Sequence, residues 1–305
     1  MIFTCTLNPS LDYYMEFDEE LAEGRTNRSE LEYYEAGGKG INVSIVLNNL
    51  GIPTRALGFV GGFTKDFYIS LLAKYEHILP TFTYIDGHTR INVKLQGRMK
   101  TEMNATGPYI TNKDMQNLLK KVDRLGKGDY LVFAGVTQDY LKPDIIKMIG
   151  KAIADDVKIV LDTNPDLMRS ILPMKPFMIK TTPAELALMT GKKCGTEKQI
   201  IAAAKEVHKN GAQFVVILEP GEALFVYEEG VYKCALSQDE QKVNTVGTGD
   251  SLVAGFLMDY LRTQDPVDSF RFGASCGAAT LYSRGLATRE KIDALYETTD
   301  IEKLD

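Results

Sequence analysis

A glycine turn followed by an aspartate is the most chemically informative segment of this sequence. Gly247 and Gly249 leave backbone N–H groups uncovered, and the apolar run 252–261 predicts a helix whose positive end points at the same place. This arrangement suits a phosphate or a developing oxyanion. Asp250 would compete with a bound anion, so its presence favours a proton acceptor beside a phosphoryl group. An ordinary helix cap at Asp250, which contributes about 1 kcal/mol, fits the segment equally well.

A second glycine turn opens another predicted helix. The glycines of segment 36–43 precede apolar residues at helical spacing, which indicates a second helix start that can receive an anion. Lys39 adds a mobile positive charge, and Asn42 can donate to or accept from a sugar hydroxyl. The P-loop spacing occurs nowhere in the sequence. A purely structural glycine turn explains this segment as well as an anion site does.

Length, composition and charge permit an enzyme and argue against several other classes of protein. The 305 residues can bury a sizeable core, and 44% hydrophobic with 25% charged residues is ordinary for a globular protein. A net charge of −6 argues against a nucleic-acid binder, so the positive charge of a phosphate site must be concentrated locally. The four cysteines are far apart, which favours reduced, mostly buried thiols. Without a signal-like start or an apolar run of about 18 residues, we expect no membrane segment and a cytoplasmic location.

Strand-like and helix-like runs alternate along the chain. The predicted strands are 2–7, 56–60, 130–134, 158–161, 177–179 and 214–218. The predicted helices are 42–50, 67–75, 115–125, 143–154, 184–189, 198–209 and 250–261. This alternation predicts βαβ units and a largely parallel sheet that is covered on both faces.

Two segments with period-two alternation break this rhythm. Residues 11–17 and 90–96 each place apolar side chains on one strand face and polar side chains on the other. With the stretch around 31–34, they predict a small sheet outside the main one. Its apolar face needs cover, so we expect this sheet to dimerise or to clamp on the main domain. A solvated polar face is the alternative to a functional one, and for Lys94 we expect solvation.

Five motifs occur in an order that is specific when they are taken together. They are Thr-Leu-Asn-Pro-Ser-Leu-Asp at 6–12, Gly-Gly-Lys-Gly-Ile-Asn at 37–42, Gly-Gly at 61–62, Thr-Arg-Ile-Asn-Val at 89–93 and Gly-Thr-Gly-Asp-Ser at 247–251. This order resembles the ribokinase-like sugar kinases, in the phosphofructokinase-B branch, whose Gly-Ala-Gly-Asp signature here carries Thr248 for alanine. Within the branch, segments 58–64 and 89–95 look most like 1-phosphofructokinases, and tagatose-6-phosphate kinases are near relatives.

The resemblance implies an α/β fold, a Rossmann-like α/β/α sandwich with a mostly parallel central sheet and a small β-sheet lid. It implies a single kinase domain over residues 1–305, with the lid formed by about 11–36 and 82–107. The implied reaction transfers phosphate from ATP, with Mg²⁺, to fructose 1-phosphate and gives fructose 1,6-bisphosphate. Tagatose 6-phosphate is the alternative acceptor.

The resemblance also implies roles for residues on the acceptor side. Asp250 would accept the proton of the attacking hydroxyl, a role worth roughly 10²–10⁴-fold in rate. The backbone N–H groups of Gly247, Thr248 and Gly249 would stabilise the transferring phosphoryl group. The matched substrate positions are Asp12 and Asn42 for sugar hydroxyls, Gly37 and Gly38 in the turn, Arg90 for the existing phosphate, and Lys39 and Arg25 as second charges.

On the nucleotide side the sequence departs from the family pattern. The usual Lys-Pro-Asn-x-x-Glu reads Lys-Thr-Thr-Pro-Ala-Glu at 180–185, which keeps an acid to organise Mg²⁺ through water but replaces the asparagine. Segment 218–223 gains a proline and two acids where the family has serine and glycine, and Ala-Gly-Val-Thr-Gln at 134–138 loses a hydroxyl. The matched nucleotide positions are Lys180, Thr182, Glu185, Leu218, Gly221, Thr245, Gly247, Gly249 and Gly277, with Glu185 also the metal residue.

Three functions stay open at this point. We favour an active 1-phosphofructokinase with weakened nucleotide affinity over a kinase for another sugar phosphate and over a non-catalytic sugar-phosphate sensor. Asp250 favours catalysis, because a protein that only binds needs no base there, whereas the altered segment 218–223 favours the sensor. The expected partners are a sugar phosphate, ATP and a second copy of the chain through the lid, with neither nucleic acid nor a membrane.

Overall fold

The computed structural model describes residues 1–98, 100–236 and 246–305. The strands in this part of the chain are β1 (Ile2–Thr6), β2 (Ser10–Glu16), β3 (Leu31–Gly37), β4 (Thr54–Gly61), β5 (Ile78–Pro80), β6 (Thr83–Ile85), β7 (Arg90–Gln96), β8 (Lys100–Met103), β9 (Tyr130–Ala134), β10 (Lys158–Asp162), β11 (Met178–Thr181), β12 (Phe214–Glu219), β13 (Glu222–Tyr227), β14 (Gly230–Ala235) and β15 (Ile301–Lys303). The α-helices are α1 (Lys39–Asn49), α2 (Gly62–Leu72), α3 (Asn112–Val122), α4 (Lys142–Ala154), α5 (Pro165–Ile171), α6 (Pro183–Thr190), α7 (Glu197–Lys209), α8 (Thr248–Thr263), α9 (Pro266–Leu281) and α10 (Arg289–Tyr296).

The large sheet is parallel through its centre and covered on both faces. Its order is β15-β14-β13-β12-β11-β10-β9-β1-β4-β5, with β6 beside β4. Among the described strands of this sheet, the antiparallel pairs are β12 with β13, β13 with β14 and β14 with β15. In β9, Leu131 and Phe133 pack with the helices α3 to α7, whereas Tyr130 and Val132 pack with α1, α8 and α9. Apolar residues on both strand faces are what a doubly covered parallel sheet requires. The predicted α/β sandwich is confirmed.

Every predicted strand and helix of this sandwich is present, with bounds that differ by a few residues. The largest shift is at α2, which begins at Gly62 rather than at residue 67. Its first turn exposes Phe63, so the apolar pattern does not extend to the true start. The pattern also misses α9, because that helix is buried along most of its length and is rich in Ala, Gly and Ser. Such a helix has little amphipathic contrast.

The small sheet, with the order β3-β2-β7-β8, turns its polar face inward. The expectation that Lys94 is solvated is wrong. Asp12, Asn92 and Lys94 are buried, with Lys94 only 8% exposed, whereas Ile91 on the opposite face is 37% exposed. The Lys94 ammonium is held by Glu102, with Nζ 2.5 Å from Oε2. Alternation shows correctly which side chains share a face, but the polar face covers a cavity and the apolar face is outermost.

The predicted lid segments contain more than the small sheet. Strand β6 lies within 82–107 but pairs with β4 of the large sheet. Residues 17–30 form the loop that joins β2 to β3. Movement of the small sheet as a lid stays a prediction.

The cysteines agree with the expectation of reduced, mostly buried thiols. All four cysteines are free thiols, and Cys5, Cys234 and Cys276 are buried. Within the described ranges, no helix combines the length and the apolar character needed to cross a bilayer.

Candidate active site

The first turn of α8 forms a backbone cradle at the carboxyl edge of the large sheet. Gly247 precedes the helix with φ 80°, a left-handed conformation that favours glycine. A β-carbon on Gly247 would lie 2.4 Å from Leu286 Cδ2, and one on Gly249 would lie 2.7 Å from Lys180 Cε. Neither glycine can gain a side chain without displacing a neighbour. The N–H groups at this helix start attract negative charge.

Asp250 lies in this turn and is not the helix cap, because Gly247 holds the N-cap position. Its side chain is 5% exposed, and Oδ2 accepts a hydrogen bond from Asn42 Nδ2 at 2.8 Å. Burial, followed by the negative charge of Asp162, raises the pKa of Asp250 to about 6 despite the nearby ammonium groups. A carboxylate with a pKa close to neutral pH is suited to accept a proton.

Asp12 and Asn42 face one cavity between the small sheet and the helices α1 and α2. This cavity encloses about 230 Å³, and Gly37 also lines it. Asp12 Oδ1 accepts a hydrogen bond from Asn92 Nδ2 at 2.9 Å, and burial raises the pKa of the Asp12 carboxyl. A β-carbon on Gly37 would lie 2.3 Å from Asp12 Oδ2, so only glycine leaves room for this carboxylate.

Arg90 fixes one end of the small sheet through three hydrogen bonds. Its Nε donates to the Asn8 carbonyl at 3.2 Å, and Nη1 donates to Asn92 Oδ1 at 3.2 Å and to the Ala105 carbonyl at 3.1 Å. Burial lowers the pKa of the Arg90 guanidinium. The guanidinium already donates hydrogen bonds to two backbone carbonyls. A bound phosphate would have to share or replace these bonds.

Arg25, like Gly38, Lys39 and Arg90, is a predicted substrate residue that does not line the cavity between the small sheet and the helices α1 and α2. It is exposed in the loop between β2 and β3. Gly24, with φ 71°, lies in a turn beside it. The sequence does not predict where Arg25 lies, because a long loop between two strands can fold over the site or extend into solvent.

Asp162 is a site residue that the sequence patterns missed. It ties two predicted residues together, with Lys39 Nζ 2.7 Å from Oδ1 and Lys180 Nζ 3.0 Å from Oδ2. Burial alone would raise the pKa of Asp162, but the two ammonium groups outweigh it and hold the pKa below the usual value. The charge that Lys39 was expected to offer to the sugar's own phosphate is thus engaged with Asp162. A polar residue at the carboxyl end of an apolar parallel strand is the signal that could have found it.

Thr182 and Glu185 form a capping box at the start of α6. The Thr182 hydroxyl accepts from the Glu185 backbone N–H at 3.3 Å, and the Thr182 N–H donates to Glu185 Oε2 at 2.9 Å. The negative charge of Glu185 also acts on Lys39. No cluster of three or more metal-binding side chains occurs among the residues the structure describes. A single carboxylate beside water and nucleotide phosphates is a common way to hold Mg²⁺, so Glu185 fits this role.

The segment that replaces the usual nucleotide motif forms a tight hairpin between β12 and β13. Glu219 and Glu222 pair across it, and Gly221 has φ 89° in the turn. Glu222 lies 2.9 Å from Lys233, which offsets its charge. Burial and then the Glu222 charge raise the pKa of Glu219. The two acids therefore oppose a polyphosphate less than their formal charge suggests.

Two more predicted nucleotide residues lie against the cradle, and one lies outside the described residues. A β-carbon on Gly249 would be 3.2 Å from Leu218 Cδ2, so Leu218 forms one wall. Gly277 on α9 allows close approach of the two helices, because its β-carbon would be 3.3 Å from the Thr248 carbonyl. Thr245 falls within 237–245, which the structure does not describe.

Comparison with known proteins identifies the family of this chain. The sequence model described as "pfkB family carbohydrate kinase" matches residues 6–292. A protein of Bacillus subtilis named 1-phosphofructokinase is 36% identical over 306 residues and covers 100% of both chains. A D-tagatose-1-phosphate kinase of Bacillus licheniformis is 30% identical over 296 residues, with 96% of each chain covered. Phosphofructokinase-2 of Escherichia coli, in complex with substrates and products, shares the fold with a TM-score of 0.91 at 24% identity, covering 97% of this chain and 98% of that one. The chain belongs to the pfkB family of carbohydrate kinases.

Proposed function

We propose that this carbohydrate kinase transfers a phosphoryl group from ATP to the hydroxyl on carbon 6 of fructose 1-phosphate. The observation that carries the proposal is the buried Asp250 carboxylate at the cradle of α8, hydrogen-bonded to Asn42 at 2.8 Å. Ionising a carboxylate there is opposed by burial, so a protein that only bound sugar phosphates would gain nothing from it. A base beside an anion cradle is what phosphoryl transfer to an alcohol requires.

In the proposed reaction, Asp250 takes the proton of the attacking hydroxyl. The hydroxyl oxygen then forms a bond to the γ-phosphorus of ATP, and the bond from that phosphorus to the β-phosphate oxygen breaks to release ADP. The N–H groups of Gly247, Thr248 and Gly249 stabilise the charge on the transferred group. Removing one such donor typically costs about 10²–10³-fold in rate. Asn42 keeps the base oriented through its hydrogen bond.

Substrate binding would use the inner face of the small sheet. Asp12, fixed by Asn92, accepts hydrogen bonds from sugar hydroxyls and so sets the angle of attack. Arg90, on the same face of β7, binds the existing phosphate, because a guanidinium fork matches two phosphate oxygens. Gly37 leaves the space in which the Asp12 carboxylate sits.

The choice of fructose 1-phosphate rests on the relatives. The B. subtilis relative is named for fructose phosphate chemistry, and the B. licheniformis relative is named for tagatose 1-phosphate rather than for the 6-phosphate. Both names fit an acceptor that already carries phosphate on carbon 1. Tagatose 1-phosphate therefore replaces tagatose 6-phosphate as the competitor to be measured.

ATP would lie along the cradle, with Lys180 and Leu218 beside Gly249. Mg²⁺ on the nucleotide would neutralise phosphate charge, held through water by Glu185. The hairpin at Gly221 closes this side with Pro220 in place of a flexible residue, which supports weaker nucleotide binding than is usual in the family.

A coupled assay of ADP release tests the function. The enzyme is supplied with ATP, Mg²⁺ and, in turn, fructose 1-phosphate, tagatose 1-phosphate and tagatose 6-phosphate. The proposal predicts the highest kcat/KM with fructose 1-phosphate. Binding of a sugar phosphate without turnover would instead support the sensor, and a preference for a tagatose phosphate would reassign the substrate.

We further propose that two copies of the chain pair through the outer face of the small sheet. This face exposes Tyr34, Ile91 and Met103. A four-stranded sheet with one uncovered apolar face is stabilised by a matching face, and a second copy supplies one by symmetry. Light scattering should give twice the mass of one chain, and a monomer at micromolar concentration would contradict the proposal.

A further inference from the structure

We propose that Asp162 is a positioning residue for phosphoryl transfer. It holds the ammonium groups of Lys39 and Lys180 together at the cradle of α8, where the transferred group passes between nucleotide and sugar. The inference rests on the proposed kinase function and adds a role that none of the matched motifs contains. It also assigns Lys39 to the phosphoryl group that is transferred rather than to the sugar's existing phosphate.

The strand register places Asp162 and Lys180 side by side. Leu161 pairs with Ile179 in the parallel strands β10 and β11, so the next residue on each strand is also adjacent. Leu161 and Ile179 both belong to the core on the α3 to α7 side. Because side chains alternate along a strand, Asp162 and Lys180 point to the opposite side, toward α1 and α8. The second ammonium, that of Lys39, comes from the start of α1 and completes the cluster.

The cluster lies directly against the cradle. A β-carbon on Gly249 would be 3.1 Å from Lys180 Nζ, so this ammonium touches the backbone whose N–H groups form the anion site. Lys180 is buried, whereas the Lys39 side chain is 36% exposed and reaches the open side of the site. One carboxylate thus connects an inner and an outer cation. A phosphoryl group in the cradle would meet both.

Charge explains why an acid is needed between the lysines. Two unscreened ammonium groups in a buried site repel each other and lose hydration, and each would turn away or lose its proton. Although burial opposes the charge of Lys39, the Asp162 carboxylate raises the pKa of that ammonium and keeps it charged. Fixing both cations before substrate arrives removes reorganisation from the chemical step.

Asp162→Asn tests the role, because the amide keeps the shape and removes the charge. Because the asparagine would no longer hold the two ammonium groups by charge, kcat with fructose 1-phosphate should fall by about 10²-fold. Loss of one positioned electrostatic group typically has an effect of this size. The KM of the sugar phosphate should change far less. Asp259→Asn is the matched control, since Asp259 is also buried and its Oδ1 lies 2.7 Å from Arg262 Nη2 at the other end of α8. It should retain wild-type kcat.

The pH profile gives a readout that a merely structural role would not move. The charged and polar groups acting on Asp250 are Asp162, Lys180, Lys39 and Asn42. Removing the negative charge of Asp162 lowers the pKa of Asp250, so the acid limb of kcat/KM should shift to lower pH in Asp162→Asn. In Lys39→Met a positive charge is lost, and the limb should shift to higher pH. Comparison with wild type cancels the titration of ATP itself.

The outcomes separate this inference from the proposed function. If the wild-type enzyme shows no turnover, the proposed function is wrong. If the wild type is active and Asp162→Asn has the same kcat and pH profile, only the role of Asp162 is wrong. A folded Asp162→Asn with kcat within a few-fold of wild type, or with an unmoved acid limb, overturns the inference. If Asp162→Asn does not fold, Lys39→Met is measured instead. An acid limb of kcat/KM that does not shift in Lys39→Met also overturns the inference.

Discussion

The raised pKa of Asp250 predicts that Asp250→Asn gains stability as it loses catalysis. Burial and the Asp162 charge raise this pKa from 3.8 to about 6. A difference of about 2 pKa units corresponds to about 3 kcal/mol that the ionised carboxylate subtracts from the free energy of unfolding. Asparagine keeps the shape and can still accept the hydrogen bond from Asn42, but it carries no charge to bury.

The sign of the pH dependence follows from which state holds the proton more tightly. The native state binds the Asp250 proton more tightly than the unfolded chain does. The contribution of Asp250 to the free energy of unfolding therefore falls as pH rises from about 4 to about 6. Above that range the full loss of about 3 kcal/mol is present. The advantage of Asp250→Asn should be complete at about pH 7.5 and about half as large at pH 5.

Thermal melts of the ligand-free proteins measure this effect. Asp250→Asn should melt a few degrees above wild type near neutral pH, and the gap should narrow toward acid pH. The same variant should bind fructose 1-phosphate and show no measurable turnover. Asp259→Asn is the control, because breaking its pair with Arg262 should lower the melting temperature. An Asp250→Asn variant no more stable than wild type near neutral pH would refute the reasoning.

Three further predictions concern the substrate and nucleotide sides. Arg90→Ala should raise the KM for fructose 1-phosphate far more than the KM for ATP in steady-state assays, and equal effects would count against a phosphate role for Arg90. Gly37→Ala should raise the same KM, because its β-carbon would lie 2.3 Å from Asp12 Oδ2 and displace that carboxylate; unchanged sugar kinetics in a folded variant would be inconsistent with this. Gly249→Ala should lower kcat by at least about 10²-fold, since its β-carbon would lie 2.7 Å from Lys180 Cε at the cradle, and wild-type kcat would argue against the cradle.

The core architecture could be predicted because its signals are local. Alternating apolar strands and helices indicate a parallel sheet without knowledge of contacts, and the glycine turn before Asp250 indicates an anion site at a helix start. The helix α9 could not be predicted in this way, because its packing against α8 uses small residues such as Gly277 and buries most of its length. Amphipathic contrast arises only where one face meets water.

The cluster around Asp162 depends on tertiary structure. Its members come from β10, β11 and α1, which are far apart in sequence and meet only through the strand order. Lys94 illustrates a different limit. Alternation placed it with Asp12 on a polar face, but whether a face is covered depends on what the sheet packs against. The burial that raises the pKa of Asp250 likewise exists only in the folded chain.

The most direct test of the central claim is the pH dependence of kcat/KM for fructose 1-phosphate with saturating ATP and Mg²⁺, for wild type and Asp250→Asn. The account predicts a wild-type acid limb with an apparent pKa of about 6 and no turnover by the variant at any pH. Turnover by the variant with a wild-type profile would contradict it, because another group would then be accepting the proton.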